Sequence, residues 1–167
     1  MIYTYKYNSP LGAITLASNG KALTGLWFDG QKYFGDTLPR EYKEKGISIF
    51  DETTKWLDIY FSGKDPGFMP ELFFQASPFR QTVWEILLSI PYGKTMTYGE
   101  IADKIAAQKG IEKMSAQAVG GAVGHNKISV ILPCHRVVGA NGSLTGYVGG
   151  IETKRRLLAP EHTEMQK

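Results

Sequence analysis

Thr97-Tyr98-Gly99-Glu100-Ile101-Ala102-Asp103-Lys104-Ile105-Ala106 and, after a short connection, Ser115-Ala116-Gln117-Ala118-Val119-Gly120-Gly121-Ala122-Val123-Gly124 describe two consecutive short helices. Thr97 with Glu100 three residues later is a capping box. The helix it opens buries Ile101, Ala102, Ile105 and Ala106 and ends at Gly110. Ser115 caps the second helix, 116–124. Its glycines give it a poor helix propensity, so it is expected to lie very close to something. Two such helices suggest a helix-turn-helix. Many helical pairs are only structural, however, and the connection Lys109–Met114 is longer than the tightest form of that motif.

Upstream, Ser77-Pro78 is a hydroxyl cap followed by proline at the first helical position. Val83, Ile86, Leu87 and Ile90 recur behind it at helical spacing, and Pro91-Tyr92-Gly93 stops the helix. The first thirty residues read as β. Tyr3–Tyr7 and Ala13–Ser18 flank the turn Ser9-Pro10-Leu11-Gly12, and Asn19-Gly20 is a two-residue hairpin signal leading into Lys21–Phe28. Asp51 is expected to cap a helix through Phe61, and 67–74 to be a strand or an extended linker. Downstream, Ile128–Leu132 reads as a short buried strand running into Pro133-Cys134-His135-Arg136.

Composition sets the outer bounds. The 167 residues suffice for one ordinary domain or two small ones, and 43% hydrophobic with 21% charged is globular usage. No apolar run is long enough to span a bilayer, and the N-terminus lacks a signal-peptide layout, so the cytoplasm is the expected compartment. A single cysteine makes neither an internal disulfide nor a multi-Cys zinc site, and no CxxC or HExxH spacing is present. Residues 1–76 carry 8 Lys/Arg against 9 Asp/Glu, and residues 77–167 carry 11 against 7. The positive excess of the second half is either chance or the side that meets a polyanion.

The commonest fate of a lone cysteine is burial as a small hydrophobe. Against that, Pro133 fixes the chain before Cys134, and His135 and Arg136 follow it at once. Cationic or proton-accepting neighbours raise a thiol's thiolate fraction. On an extended chain adjacent side chains diverge, so His135 would need a water or a sharp turn to reach the thiol. A carboxylate orienting His135 would complete an activated Cys-His-acid nucleophile. Glu152, Glu161 and Glu164 are the downstream candidates, and spacing does not choose among them.

The run Ile131-Leu132-Pro133-Cys134-His135-Arg136-Val137 resembles the active-site signature of the O6-alkylguanine-DNA alkyltransferases, also called methylated-DNA–protein-cysteine methyltransferases. The resemblance extends from Ser77 to Glu161. It includes Arg80-Gln81-Thr82-Val83-Trp84, Ile90-Pro91-Tyr92-Gly93, Thr97-Tyr98, Ala118-Val119-Gly120-Gly121-Ala122, His125-Asn126 and Gly146-Tyr147-Val148-Gly149-Gly150. It implies an α+β chain: a small N-terminal domain, 1–76, with a ribonuclease-H-like antiparallel sheet, and a C-terminal domain, 77–167, with a winged-helix-like helix-turn-helix.

The same resemblance implies the roles. Cys134 is the alkyl acceptor, His135 its base through a water, and Glu161 the group that orients His135. Asn126 holds the active-site turn. Tyr98 protonates the leaving guanine, and Lys154 assists Tyr98. Tyr147 packs on the flipped base, and Val148 and Gly149 border the alkyl pocket. Thr97, Ser115, Gln117, Ala118 and Gly121 face DNA, with the second helix in the minor groove. The implied partner is double-stranded DNA carrying O6-alkylguanine, with O4-alkylthymine as a second substrate. No cofactor is implied, since the damaged DNA is the alkyl donor, and no zinc, membrane or obligate protein partner; a monomer is the default expectation.

One position departs from the family pattern: Gln117 stands where an arginine usually inserts in place of the flipped base. Weaker flipping is the expectation. The competing readings are a non-enzymatic alkylated-DNA-binding protein, which typically has tryptophan at the cysteine position, a cysteine hydrolase acting over many turnovers, and a helix-turn-helix regulator without thiol reactivity.

Overall fold

The computed structural model describes residues 1–31, 34–35, 38–74, 76–144, 147 and 150–161. It divides into two compact units, Met1–Phe74 with Lys127–Ile131, and Gln75–Asn126 with Leu132–Lys167.

In the first unit, β1 (Tyr3–Ser9), β2 (Gly12–Ser18) and β3 (Leu23–Phe28) form an antiparallel meander, and the two-residue β4 (Lys43–Glu44) joins β1 in parallel, giving the order β3-β2-β1-β4. The β2–β3 connection is four residues rather than the expected two. The Asn19 side chain explains this, because its Oδ1 accepts from the backbone N–H of both Lys21 and Ala22 and so extends the turn. Helix α1 (Ser48–Phe61) starts ahead of the Asp51 cap read from sequence, with Ile47 as the cap residue and Asp51 in the first turn. It buries Ile49, Phe50, Trp56, Leu57 and Tyr60. Gly25 is required by packing, since a Cβ there would lie 2.2 Å from the buried Trp27 ring.

Two extended pieces complete this unit. Leu23 exchanges backbone hydrogen bonds with Glu71 (2.8 Å) and Phe73 (2.9 Å), so 71–73 is extended and paired. Leu26 does the same with Lys127 (2.8 Å) and Ser129 (3.0 Å). The strand expected over Ile128–Leu132 is therefore corrected to a turn with a single parallel bridge at Ile128, in which Val130 takes φ 70°. The run is apolar because it is buried, not because it is extended.

The second unit is mainly helical: α2 (Pro78–Leu88), α3 (Tyr98–Lys109), α4 (Ala116–Gly124) and α5 (Ile151–Leu158), with β5 (Met96–Thr97) parallel to β6 (Val137–Val138). The three caps read from sequence are made: Ser77, Thr97 and Ser115 each accept from the N–H three residues on, and Glu100 closes the capping box. Helices α2, α3 and α4 pack around Val83, Trp84, Leu87, Ile101, Ile105 and Val119. Trp84 donates its indole N–H to the Ala122 carbonyl at 2.8 Å, tying α4 to α2. No helix among the described residues is long and apolar enough to cross a membrane.

Candidate active site

After Pro133 the chain makes a 3-10 turn, Cys134–Arg136, closed by Arg136 N–H on the Pro133 carbonyl (2.9 Å). This is the sharp turn that two adjacent functional side chains need. Strand β6 leaves it at once and pairs with β5, Met96 opposite Val137 and Thr97 opposite Val138. The first turn of α3, with Tyr98, is thereby fixed beside the cysteine turn.

Cys134 is buried, 3% exposed. Asn126, two residues past the end of α4, donates its amide to the Cys134 sulfur at 3.0 Å and to the Leu132 carbonyl at 2.8 Å. Tyr147 helps to lower the same thiol, and Lys154, fully buried on α5, acts on it by charge while donating to the Val137 carbonyl at 2.5 Å. Burial pushes the thiol up to about 11, and the Asn126, Lys154 and Tyr147 contacts only partly offset it. The lowering expected from its sequence neighbours is thus outweighed by desolvation. Burial also brings Lys154 down to about 8, opposed by the thiolate charge.

His135 Nε2 lies 2.9 Å from Glu161 Oε2, with both side chains fully buried. Of the three acids left open by spacing, Glu161 is the one on the imidazole. Glu152 is exposed and paired with Arg155, and Glu164 lies outside the described residues. Arg136 contributes what the sequence reading missed. Its Nε and Nη2 donate to the two Glu161 oxygens (2.9 and 3.2 Å), its Nη1 to the Ile90 carbonyl (2.8 Å), and its guanidinium lies 5.7 Å from the Tyr92 ring centre. Gly93 N–H also donates to Glu161 Oε1, and Tyr92 Oη to the Pro160 carbonyl. Pro91-Tyr92-Gly93, a helix stop and part of the family resemblance in the sequence, is a clamp on the Glu161 turn. The signal was present in the adjacency of Arg136 to His135. Burial alone would raise Glu161, but the hydrogen bonds and charges of His135 and Arg136 prevail and hold its carboxyl down at about 2. Burial lowers His135 against the pull of Glu161.

Helix α4 presents Gln117, Ala118 and Gly121 outward and buries Val119, Ala122 and Val123. A Cβ on Gly121 or Gly124 would meet none of the described residues within 4 Å, so their packing does not demand small residues there. Gly120 is different, because the Tyr98 ring lies 3.8 Å from where its Cβ would be. The hydroxyls of Thr97 and Ser115 are engaged as helix caps. Val148 and Gly149 lie outside the described residues. Among the described residues no three His, Cys, Asp or Glu side chains converge as a metal would require.

Residues 1–71 match the family model described as 6-O-methylguanine DNA methyltransferase, ribonuclease-like domain, and residues 78–163 match 6-O-methylguanine DNA methyltransferase, DNA binding domain. The methylated-DNA–protein-cysteine methyltransferase of Mycobacterium tuberculosis is 45% identical over 161 residues, covering 96% of this chain and 93% of the relative. That of Haemophilus influenzae is 38% identical over 162 residues, covering 96% and 86%. The crystal structure of Mycobacterium tuberculosis OGT in complex with DNA superposes with a TM-score of 0.83 at 43% identity, covering 96% of this chain and 92% of that one.

Proposed function

Because the chain belongs to the 6-O-methylguanine DNA methyltransferase family, we propose that it repairs O6-alkylguanine in double-stranded DNA by direct transfer of the alkyl group to Cys134, with O4-alkylthymine as a second substrate. What supports the reading is the buried arrangement of Cys134 and His135 on one 3-10 turn with Glu161, from the 159–161 turn, on the imidazole and Asn126 on the sulfur.

The thiol is not ionised at neutral pH by its surroundings alone, so a base is needed. His135 takes the proton through a water, and Glu161 holds the ring. The sulfur attacks the alkyl carbon, the carbon–O6 bond breaks, and its electron pair leaves with the guanine as Tyr98 delivers a proton to it. Lys154 supplies the fixed positive charge that favours the thiolate. The thioether has no easy route back, so each molecule acts once, and no cofactor takes part.

The target oxygen faces into the duplex, so the base is flipped out at a cost of about a few kcal/mol. The small outward face of α4 enters the minor groove. Tyr147 packs on the extruded base, and Val148 and Gly149 border its alkyl group. Every reacting group falls within 77–167. Residues 1–76 form the supporting domain, joined by the 127–131 turn. The protein acts as a cytoplasmic monomer without a protein partner. A lesion-binding protein lacking transfer would have no use for an activated thiol.

Intact mass after incubation with DNA containing O6-methylguanine tests this. Gain of one methyl per chain, absent in Cys134→Ser, is expected. A chain that binds the lesion and stays unmodified would overturn it.

A further inference from the structure

Glu161 is buried and carries one negative charge between two cationic candidates, so its partners decide where a proton rests. Its Oε1 takes Arg136 Nε–H and Gly93 N–H, and its Oε2 takes Arg136 Nη2–H and faces His135 Nε2. An arginine guanidinium keeps its charge at every working pH. The carboxylate is therefore balanced without any proton from the imidazole. We infer that Arg136 is a positioning residue: it satisfies Glu161 so that His135 stays uncharged, with Nε2–H donated to Glu161 and Nδ1 left as the proton-accepting atom. The neutral ring has one donor and one acceptor nitrogen, so committing Nε2 to a carboxylate fixes the tautomer.

The charged groups acting on His135 are Glu161 from the 159–161 turn, Arg136 from its own turn, and Lys154 from α5. Cys134 lies beside it in sequence. Glu161 favours the imidazolium, while Arg136 and Lys154 oppose it, as does burial. Removing Arg136 leaves Glu161 to draw a proton onto His135, and a protonated base accepts nothing from the thiol. The inference rests on His135 being that base.

The test is the acid limb of methyl transfer, read from pH 5 to 7, below the value of about 8 at which Lys154 loses its charge, alongside the NMR titration of labelled His135. Arg136→Met should move the His135 midpoint upward and the acid limb with it, the rate falling about tenfold per pH unit below the new midpoint. Arg136→Lys, which keeps the charge, should hold both in place. An Arg136→Met protein whose His135 titration is unchanged, or whose rate drops equally at every pH, overturns the inference. Should Arg136→Met not fold, the unmodified protein decides: an imidazolium, or an Nδ1–H tautomer, at pH 7 overturns it equally. Failure of the base reading looks different, because His135→Asn would then transfer at the full rate.

Discussion

Asn126 Nδ2 stands 3.0 Å from Cys134 Sγ and 2.8 Å from the Leu132 carbonyl, so one amide closes the neck of the 127–131 turn and touches the nucleophile. A methyl group on that sulfur has to fit into a site that is 3% exposed. Overpacking of this kind costs about 1–3 kcal/mol. The methylated protein should therefore melt lower than the unmodified one, by about 2–4 °C per kcal/mol at this size. Differential scanning calorimetry of the two forms checks it, and equal melting temperatures would contradict it.

The thiol's position at about 11 gives a pH signature. A raised value means less thiolate at neutral pH, so without the base the reaction must wait for hydroxide. His135→Asn should retain a slow transfer that climbs about tenfold per pH unit from pH 6 to 7, below the value of about 8 at which Lys154 gives up its charge. The unmodified enzyme should be much flatter. Single-turnover rates on methylated duplex separate the two profiles.

Glu161 makes acid stability a readout of the same cluster. Its folded value of about 2 lies below the ordinary 4.5, so the carboxylate stabilises the fold above 4.5. That contribution drains away as pH falls from about 4.5 towards about 2. Glu161→Gln should be less stable at neutral pH and should lose this acid slope. Denaturant midpoints across pH 2–7 measure it; an identical slope in both proteins would remove Glu161 from the account.

Gln117 is exposed in the first turn of α4. It is shorter than arginine and uncharged, and fills less of the gap left by a flipped base. Gln117→Arg should bind duplex DNA more tightly or repair it faster, with little change towards the free base O6-benzylguanine. No change on duplex would count against that placement.

Gly121 separates two reasons for a helix of small residues. No described residue lies within 4 Å of a Cβ at this position, and replacing a helical glycine by a better former gains about 0.5–1 kcal/mol. Gly121→Leu should leave the fold as stable or more so, yet weaken DNA binding through bulk on the groove-facing surface. Paired melting and gel-shift measurements test it. Unimpaired binding would take α4 out of the groove.

What could be read from the sequence follows from how far each signal reaches. The caps at Ser77, Thr97 and Ser115 depend on residues three apart and were legible in full. Strands β4 and β6 are two residues each, too short for any periodicity. Ile128–Leu132 misled because an apolar run records burial, and Val130 turns at φ 70° within it. In the site, Cys134 and His135 declared themselves locally. Glu161, 26 positions beyond His135, was one of three acids until the family signature chose it. Arg136 was in plain view, but its partners Glu161 and Ile90 lie 25 and 46 positions away.

Leu26 on β3 receives its backbone partners from Lys127 and Ser129, a hundred residues downstream. During synthesis the N-terminal sheet therefore cannot finish pairing until the ribosome has passed α4 and reached the segment just before the nucleophile. Completion of the sheet unit and arrival of the reactive cysteine fall within a few codons of each other. A ribosome-bound chain ending before residue 127 carries an incomplete sheet and no chemistry at all.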